Sequence, residues 1–261
     1  MNKLLIIDGH NLLFKAFYGI PERLLSSGKP VQGVIGFVGI MTKIIREVRP
    51  TNVLVVFDPE EKSPKTNLYS QYKQNRQDFS NKPDRENPFS QLSDIKKALD
   101  NLGIKYLEQR GYEADDVIAS FTIQYNCEIV IVSNDTDFLQ LVNDRITVFR
   151  YHGKKSILFT EKVIQEKYGV SPSRFLEYKA LIGDNTDNID GIKGIGPKTA
   201  IKVLDNKKRL TKEERKIFER NKTLIKLNTE INLLYTLGQL SFNKDFKGFK
   251  GGEFLRIIGV L

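Results

Sequence analysis

The chain has 261 residues, enough for one large domain or a domain with a small appendage. Apolar residues make up 40% with 16 Phe and 10 Tyr, which excludes global disorder, and the single cysteine, Cys127, excludes an internal disulfide framework and fits a reducing, cytoplasmic setting. Lys and Arg number 41 against 32 Asp and Glu, a net +9 with a pI near 9.4, so a polyanionic partner is expected, either nucleic acid or an anionic membrane surface.

Short β-type apolar runs alternate with helical patterns along the chain, which predicts βαβ units and a largely parallel sheet. Strands are expected at 4–7, 53–57, 104–107 and 128–132, followed by a hairpin of 146–149 with 156–159. The run at 4–7 stops at Asp8, too short for a signal peptide, and no apolar run approaches the roughly 18–20 residues of a membrane helix. Residues 34–48, 89–102 and 113–125 read as amphipathic helices, the last with Val117, Ile118, Phe121 and Tyr125 as its stripe. Residues 61–85 break the rhythm, with Lys62, Lys65, Lys73, Arg76, Lys82 and Arg85 and no apolar period. They read as a long insertion, at about 61–88, of the kind that is functional or disordered. After Thr160 the pattern turns helical and strongly basic. An α/β core over 1–159 and a helical lobe over 160–261 are therefore expected. Residues 247–261 carry no usable pattern.

Acids recur directly after strands. Asp8, Asp58, and the pair Asp135 and Asp137 each follow one, and in open parallel sheets the ligand crevice lies at the strands' carboxyl ends. Glu113, Asp115 and Asp116 open a helix, and Asp184 and Asp187 sit in an Asn-rich turn. Each group alone has an ordinary explanation. First-turn acids complement a helix dipole, and Asp and Ser form caps and turns. Nine acids brought to one place are different, because without cations they would repel and their pKa values would rise. Hard divalent ions relieve that, and with only His10 and His152 in the chain a His/Cys zinc site is not expected. Two Mg²⁺ or Mn²⁺ ions would suit in-line phosphoryl displacement.

The sequence resembles the bacterial 5′-nuclease, or flap endonuclease, family, which includes the 5′→3′ exonuclease domain of DNA polymerase I. The resemblance rests on IDGHNL at 7–12, VFD at 56–58, YKQNR at 72–76, GYEADD at 111–116, SNDTDFLQL at 133–141, GDNTDN at 183–188 and GIKGIGPKTA at 191–200. Seven motifs in order over about residues 3–240 are specific where each alone is weak. The resemblance implies a parallel-sheet PIN-like (Rossmann-like) core, a helical arch and a C-terminal helix–hairpin–helix-type lobe. It assigns Asp8, Asp58, Glu113 and Asp115 to a first metal and Asp135, Asp137, Asp187 and Asp184 to a second, with Asp116 near both. Lys73 and Arg76 would contact the scissile phosphate. The family often has Arg where Lys15 and Lys65 stand, so a phosphate contact at either is less directional here. No polymerase sequence follows Leu261, so a free-standing nuclease or an excised piece is expected.

The insertion interleaves Tyr69 and Tyr72 with Lys65, Lys73 and Arg76, aromatic faces for stacking bases and cations for phosphates, although a solvated loop has the same composition. The turn at 191–200 has the glycine spacing of a P-loop, but Pro197 stands where its Lys belongs and no strand is expected before it. A helix–hairpin–helix turn fits better, with Gly194 and Gly196 letting backbone approach a phosphate, Pro197 starting a helix, and Lys198 and Lys202 on one face following the duplex. A structural turn with a solvated lysine face remains the alternative. The resemblance adds K⁺ held by the carbonyls of 191–196.

The expected activity is a metal-dependent 5′→3′ exonuclease and flap endonuclease acting on 5′ ends, 5′ flaps and RNA primers paired to DNA. A monomer with no membrane partner is expected. A haloacid-dehalogenase-like phosphatase wants a second acid two residues after Asp8, where His10 stands. A PIN-type ribonuclease leaves the 191–200 turn unexplained, and a non-catalytic, structure-specific DNA-binding protein predicts a lost acid among the nine.

Overall fold

The computed structural model describes residues 2–59, 65 and 69–242. The remainder of the expected insertion, including Glu61 and Lys62, and the stretch 247–261 lie outside the described residues.

A six-stranded sheet forms the centre. β1 (Lys3–Asp8) lies between β2 (Asn52–Phe57) and β4 (Glu128–Val132), with Ile7 in register with Val55 on one side and Val132 on the other. β3 (Lys105–Glu108) flanks β2, and β5 (Ile146–Arg150) flanks β4, all parallel; β6 (Ile157–Phe159) closes the edge antiparallel to β5, as the expected hairpin required. The chain builds outward from β1 to β2 and β3, then returns to place β4 and β5 on the other side. The strand order therefore reverses between β1 and β4, where α/β sheets open a crevice.

Both faces are covered, which is why these strands read as unbroken apolar runs. Leu5, Ile7, Val53, Val55, Phe57, Val130 and Val132 face α1 (Gly9–Gly19), α2 (Gln32–Val48) and α3 (Leu92–Asn101). Leu4, Ile6, Leu54, Val56, Ile129 and Ile131 face α4 (Ala114–Gln124) and the C-terminal helices. Helix α1 has no counterpart among the expected elements. Asp8 is both the last residue of β1 and the N-cap of α1, its Oδ1 accepting from the Asn11 N–H at 3.1 Å, so no turn residue separates strand from helix.

The C-terminal part supplies α5 (Glu161–Tyr168), α6 (Phe175–Ile182), α7 (Pro197–Leu204) and α8 (Lys212–Ile225), the last started by a Thr211–Glu214 capping box. Phe175, Ile192, Ala200, Leu227 and Ile231 join Phe121, Phe138 and Phe159 in one apolar cluster against the sheet. A two-residue ladder of β7 (Gly183–Asp184) with β8 (Ile189–Asp190) precedes the 191–200 turn, and the sequence pattern gave no sign of it. Gly183 is required there: its φ is +84°, and a Cβ would stand 2.3 Å from the Gly191 nitrogen. Among the described residues no helix is long and apolar enough to cross a membrane.

Candidate active site

Three strands deliver acids to the reversal point. Asp8 ends β1, and its Oδ2 accepts from Ser133 Oγ, just beyond β4, at 2.7 Å. Burial, then the charge of Asp58 and more weakly that of Asp135, pushes the Asp8 carboxyl up to about 6. Asp58 follows β2. Burial would raise it too, but contact with His10 Nδ1 at 3.3 Å, the Ala114 N–H at 2.8 Å and the charge of Lys73 together hold it at about 2. Asp58 thus caps α4 and ties that helix to β2. Asp135 accepts from the Asp137 N–H at 2.8 Å and donates its own N–H to Ser133 Oγ at 3.0 Å, a turn that folds the loop after β4 back toward β1.

The start of α4 supplies the first triad. Glu113 is its N-cap residue, and one carboxylate oxygen each of Glu113, Asp115 and Asp116 lie within 4.8 Å of one another. Burial and mutual repulsion raise Asp115 well above the ordinary carboxylate range, with burial also raising Asp116. Glu113 is pulled the other way despite its burial, because Lys73 and Lys65 both contact it, Lys65 Nζ at 3.0 Å. Lys65 also lies 3.4 Å from Asp116.

The second triad joins two distant loops: oxygens of Asp137, Asp184 and Asp187 also lie within 4.8 Å of one another. Lys179, on α6 and buried, donates to both Asp137 and Asp184. Burial still carries Asp137 up to about 7, because the repulsion of Asp135 and Asp184 offsets part of what Lys179 gives back. Asp187 accepts from Arg76 at 3.1 Å and from the Tyr72 hydroxyl at 3.3 Å, and that hydroxyl also reaches Glu113 at 3.1 Å. Tyr72 thereby links the two triads.

This donor set fits hard divalent cations. It is all oxygen, drawn from carboxylates that are mostly buried and of raised pKa, and amino groups already occupy positions between them as partial substitutes for positive charge.

Residues 3–169 match the model of the 5′-3′ exonuclease, N-terminal resolvase-like domain, and residues 170–247 that of the 5′-3′ exonuclease, C-terminal SAM fold. The chain belongs to the 5′-3′ exonuclease family. A 5′-3′ exonuclease of Aquifex aeolicus is 36% identical over 208 residues, covering 78% of this chain and 69% of that protein. DNA polymerase I of Caldicellulosiruptor bescii is 37% identical over 210 residues, but the chain spans only 24% of its length. The fold is shared with the phage T5 5′-exonuclease solved with bound zinc, at a TM-score of 0.67 and 22% identity over 86% of this chain and 89% of that one. It is shared as well with flap endonuclease-1 of Methanococcus jannaschii, at 0.61 and 19% over 99% and 91%. The PIN-like core with a helical C-terminal part is thus the fold of this family.

Of the sequence-predicted residues, the nine acids, Lys65, Lys73, Arg76 and Tyr72 converge on this one edge. Tyr72 does not present a stacking face, as the sequence reading expects. It is 3% exposed, its hydroxyl held by the two carboxylates and its ring packed with Ile189, Leu224 and Ile225. Lys65 points into the first triad rather than outward to a phosphate. Tyr69 is half-buried under the Arg220 guanidinium, 4.7 Å from its ring centre. The described part of the insertion is stitched to the 184–188 turn by Lys73 N–H to the Asp187 carbonyl at 3.0 Å, Asn75 to the Asn185 carbonyl at 2.8 Å and Asn188 to the Gln71 carbonyl at 2.7 Å. Lys15 lies apart, on α1 beside His152. Gly194 takes φ +81° in the turn before α7, Gly196 is that helix's N-cap residue, and Lys198 and Lys202 are exposed one turn apart.

Sequence reasoning missed Lys179, Ser133 and the two links made by Tyr72. A lysine inside the apolar run FLEYKALI, five residues before Asp184, was the available signal for the first.

Proposed function

We propose that the chain is a structure-specific 5′-nuclease, a 5′→3′ exonuclease and flap endonuclease of replication and repair that removes 5′ flaps and RNA primers. The observation that carries this reading is the gathering of nine carboxylates from three strand ends, α4 and the 183–190 ladder at the point where the sheet order reverses, with Lys73 and Arg76 at their border. Asp8, Asp58, Glu113 and Asp115 would hold one Mg²⁺ or Mn²⁺, and Asp135, Asp137, Asp184 and Asp187 a second, with Asp116 shared. Such ions, when bound, lower the pKa of the attacking water and neutralise the leaving oxygen.

The chain's own residues do the rest. Ser133 and the Asn11 N–H fix the Asp8 carboxylate, and the Ala114 N–H and His10 fix Asp58 in its ionised form. Lys73 and Arg76 are the catalytic cations, placed to meet the charge that develops on the scissile phosphate. The helical lobe, residues 160–261, grips duplex through Lys198, Lys202 and the backbone around Gly194 and Gly196, where K⁺ would sit on the hairpin carbonyls. A single strand passing under the arch would run beside Tyr69, while Lys65 stays turned into the first triad. Recognition is then of backbone shape rather than sequence, by a monomer in the cytoplasm, associated with the nucleoid.

A labelled 5′-flap duplex tests this directly. Cleavage at the junction in Mg²⁺ and none in EDTA is expected, with a 5′-phosphate and a 3′-hydroxyl on the products. Tight binding without cleavage in Mg²⁺ or Mn²⁺ would instead make the chain a DNA-binding module.

A further inference from the structure

Two asparagines outside the carboxylate set join its two halves. β1 and β4 run parallel with Ile7 opposite Val132, so Asp8 and Ser133 leave the sheet side by side. Beyond that point the two backbones part, one entering α1 at Gly9 and the other turning through Ser133, Asn134 and Asp135. Asn11, three residues after Asp8 in the first turn of α1, bridges them. Its N–H donates to Asp8 Oδ1 at 3.1 Å, and its Oδ1 accepts from the Asn134 N–H and from Asn134 Nδ2, each at 3.0 Å. Because one of those donors is a backbone N–H, the Asn11 amide must turn its oxygen toward Asn134. Ser133 closes a ring, its Oγ donating to Asp8 Oδ2 at 2.7 Å and accepting from the Asp135 N–H at 3.0 Å. Successive N–H groups of Asn134 and Asp135 are thus held by two side chains that are both tied to Asp8. From β5, Arg150 holds the Asn134 carbonyl at 2.9 Å, so both backbone groups of that residue are spent.

We propose that Asn11, acting through Asn134, is a positioning residue that fixes the separation of the two metal sites. This rests on the nuclease reading above, in which Asp8 belongs to the first site and Asp135 to the second. Two ions that clamp an in-line displacement sit about 4 Å apart. A spacing set by carboxylates on separate elements is no tighter than the link between those elements, and Asp8 and Asp135 are like charges that push each other away. Ser133 alone gives a single pivot, about which the loop after β4 can turn. The Asn11 oxygen adds a second contact at the neighbouring peptide and stops that rotation. An amide suits the task because it is neutral and adds no charge to the crowded cluster. Its oxygen takes two donors at once while the N–H of the same residue caps Asp8.

The test uses Mn²⁺ as the probe, with the wild type, Asn11→Ala, Asn134→Ala and the double variant. Electron paramagnetic resonance at two equivalents of Mn²⁺ reads the spacing, since ions about 4 Å apart give the split lines of a spin-coupled pair. Calorimetric titration gives the affinity of each ion, and quenched-flow cleavage of a 5′-flap duplex in saturating Mn²⁺ gives the single-turnover rate. Asn11→Ala should lose the coupled signal and bind one ion about 10–100-fold more weakly, the usual loss for a group that orients a ligand. Its single-turnover rate should fall by a similar factor, with flap affinity in EDTA unchanged. Asn134→Ala keeps its backbone N–H on Asn11 and should lose less. The double variant should be no worse than Asn11→Ala, because both substitutions act through one oxygen. A coupled signal and ion affinities equal to the wild type's in Asn11→Ala would overturn the proposal, as would losses that multiply in the double variant. Should Asn11→Ala fail to fold, Asn134→Ala decides alone: a weakened coupled signal supports the link and an unchanged one overturns it. A wild type with no coupled pair would remove the spacing claim, while its junction cleavage in Mg²⁺ would keep the nuclease reading. A wild type that holds the coupled pair but never cuts the flap would remove the nuclease reading, with the spacing still decided by the variants' Mn²⁺ signals.

Discussion

The carboxylate cluster should make the metal-free protein more stable at pH 5 than at pH 7, opposite to the usual behaviour of acids in folded proteins. The sign follows from the raised pKa values. A carboxyl that binds its proton more tightly in the folded than in the unfolded chain destabilises the fold wherever it is ionised, and the penalty lifts as pH falls toward the folded pKa. Asp137 stands at about 7 against 3.8, which costs about 4 kcal/mol at pH 7 and about 2 kcal/mol at pH 5. Asp8, at about 6, costs about 3 and about 2 kcal/mol at the same two pH values. Asp58, at about 2, contributes stability that is lost only as pH drops below the unfolded value near 3.8, so it does not enter this window. His152, lowered by its burial and its cationic neighbours, opposes the trend but is exposed.

The expected gain from pH 7 to pH 5 is therefore on the order of 3 kcal/mol, roughly 6–12 °C in Tm for a chain of this size. Thermal unfolding of EDTA-treated protein in matched ionic strength measures it. Asp137→Asn should remove about 2 kcal/mol of the gain. Saturating Mg²⁺ should abolish the trend, because bound carboxylates stay deprotonated and the ion supplies the missing charge. A metal-free Tm at pH 5 equal to or below that at pH 7 would refute the reasoning, since it would mean that the internal lysines fully neutralise the cluster.

Three substitutions probe the same site from other directions. Lys73→Ala should lower single-turnover cleavage of a flap by about 10²–10³ while changing duplex affinity far less; a larger effect on affinity than on turnover would remove it from the scissile phosphate. Asp135→Asn should abolish cleavage and leave DNA binding in EDTA unchanged or tighter, because it deletes a negative charge beside a polyanion; full activity would take Asp135 out of the metal site. Lys179→Met breaks a buried pairing to two carboxylates and should cost about 3–5 kcal/mol in the metal-free protein by urea unfolding, with Mg²⁺ recovering more stability than it adds to the wild type.

The parts of this site that the sequence disclosed are those whose position follows from local pattern. Asp8, Asp58 and Asp135 come straight after apolar runs, so their arrival at one sheet edge needed only the parallel reading of the strands. Glu113, Asp115 and Asp116 came with a helix start. The missing parts depend on pairs far apart in the chain. Lys179 and Asp137 are separated by 42 residues, and nothing in either neighbourhood names the other. Tyr72 sits in a stretch without periodicity, and its burial comes from Ile189, Leu224 and Ile225, which reach it only after the C-terminal helices close over the insertion. Helix α1 escaped because its cap is the catalytic-edge Asp8 itself, a single residue read as strand end alone. The same double duty explains Gly183, which reads as part of an acidic turn but is fixed by the close approach of Gly191.

The basic residues of the insertion are better understood as counterions than as a surface patch. Lys65, Lys73 and Arg76 contact Glu113, Asp116 and Asp187, the same carboxylates that would ligate divalent ions. An ion entering either triad and an ammonium leaving it are then coupled through shared oxygens, and the coupling is reciprocal: what favours one disfavours the other by the same free energy. Because Lys73 also holds the Asp187 carbonyl through its backbone N–H, its side chain can be released without freeing the segment. A cation in the triads would thus turn Lys73 and Arg76 from partners of protein acids into partners for a phosphate, at a position the backbone still fixes. The net charge of +9 understates this arrangement, since nine of the 32 acids are turned inward at one edge and the rest of the molecule is left strongly basic.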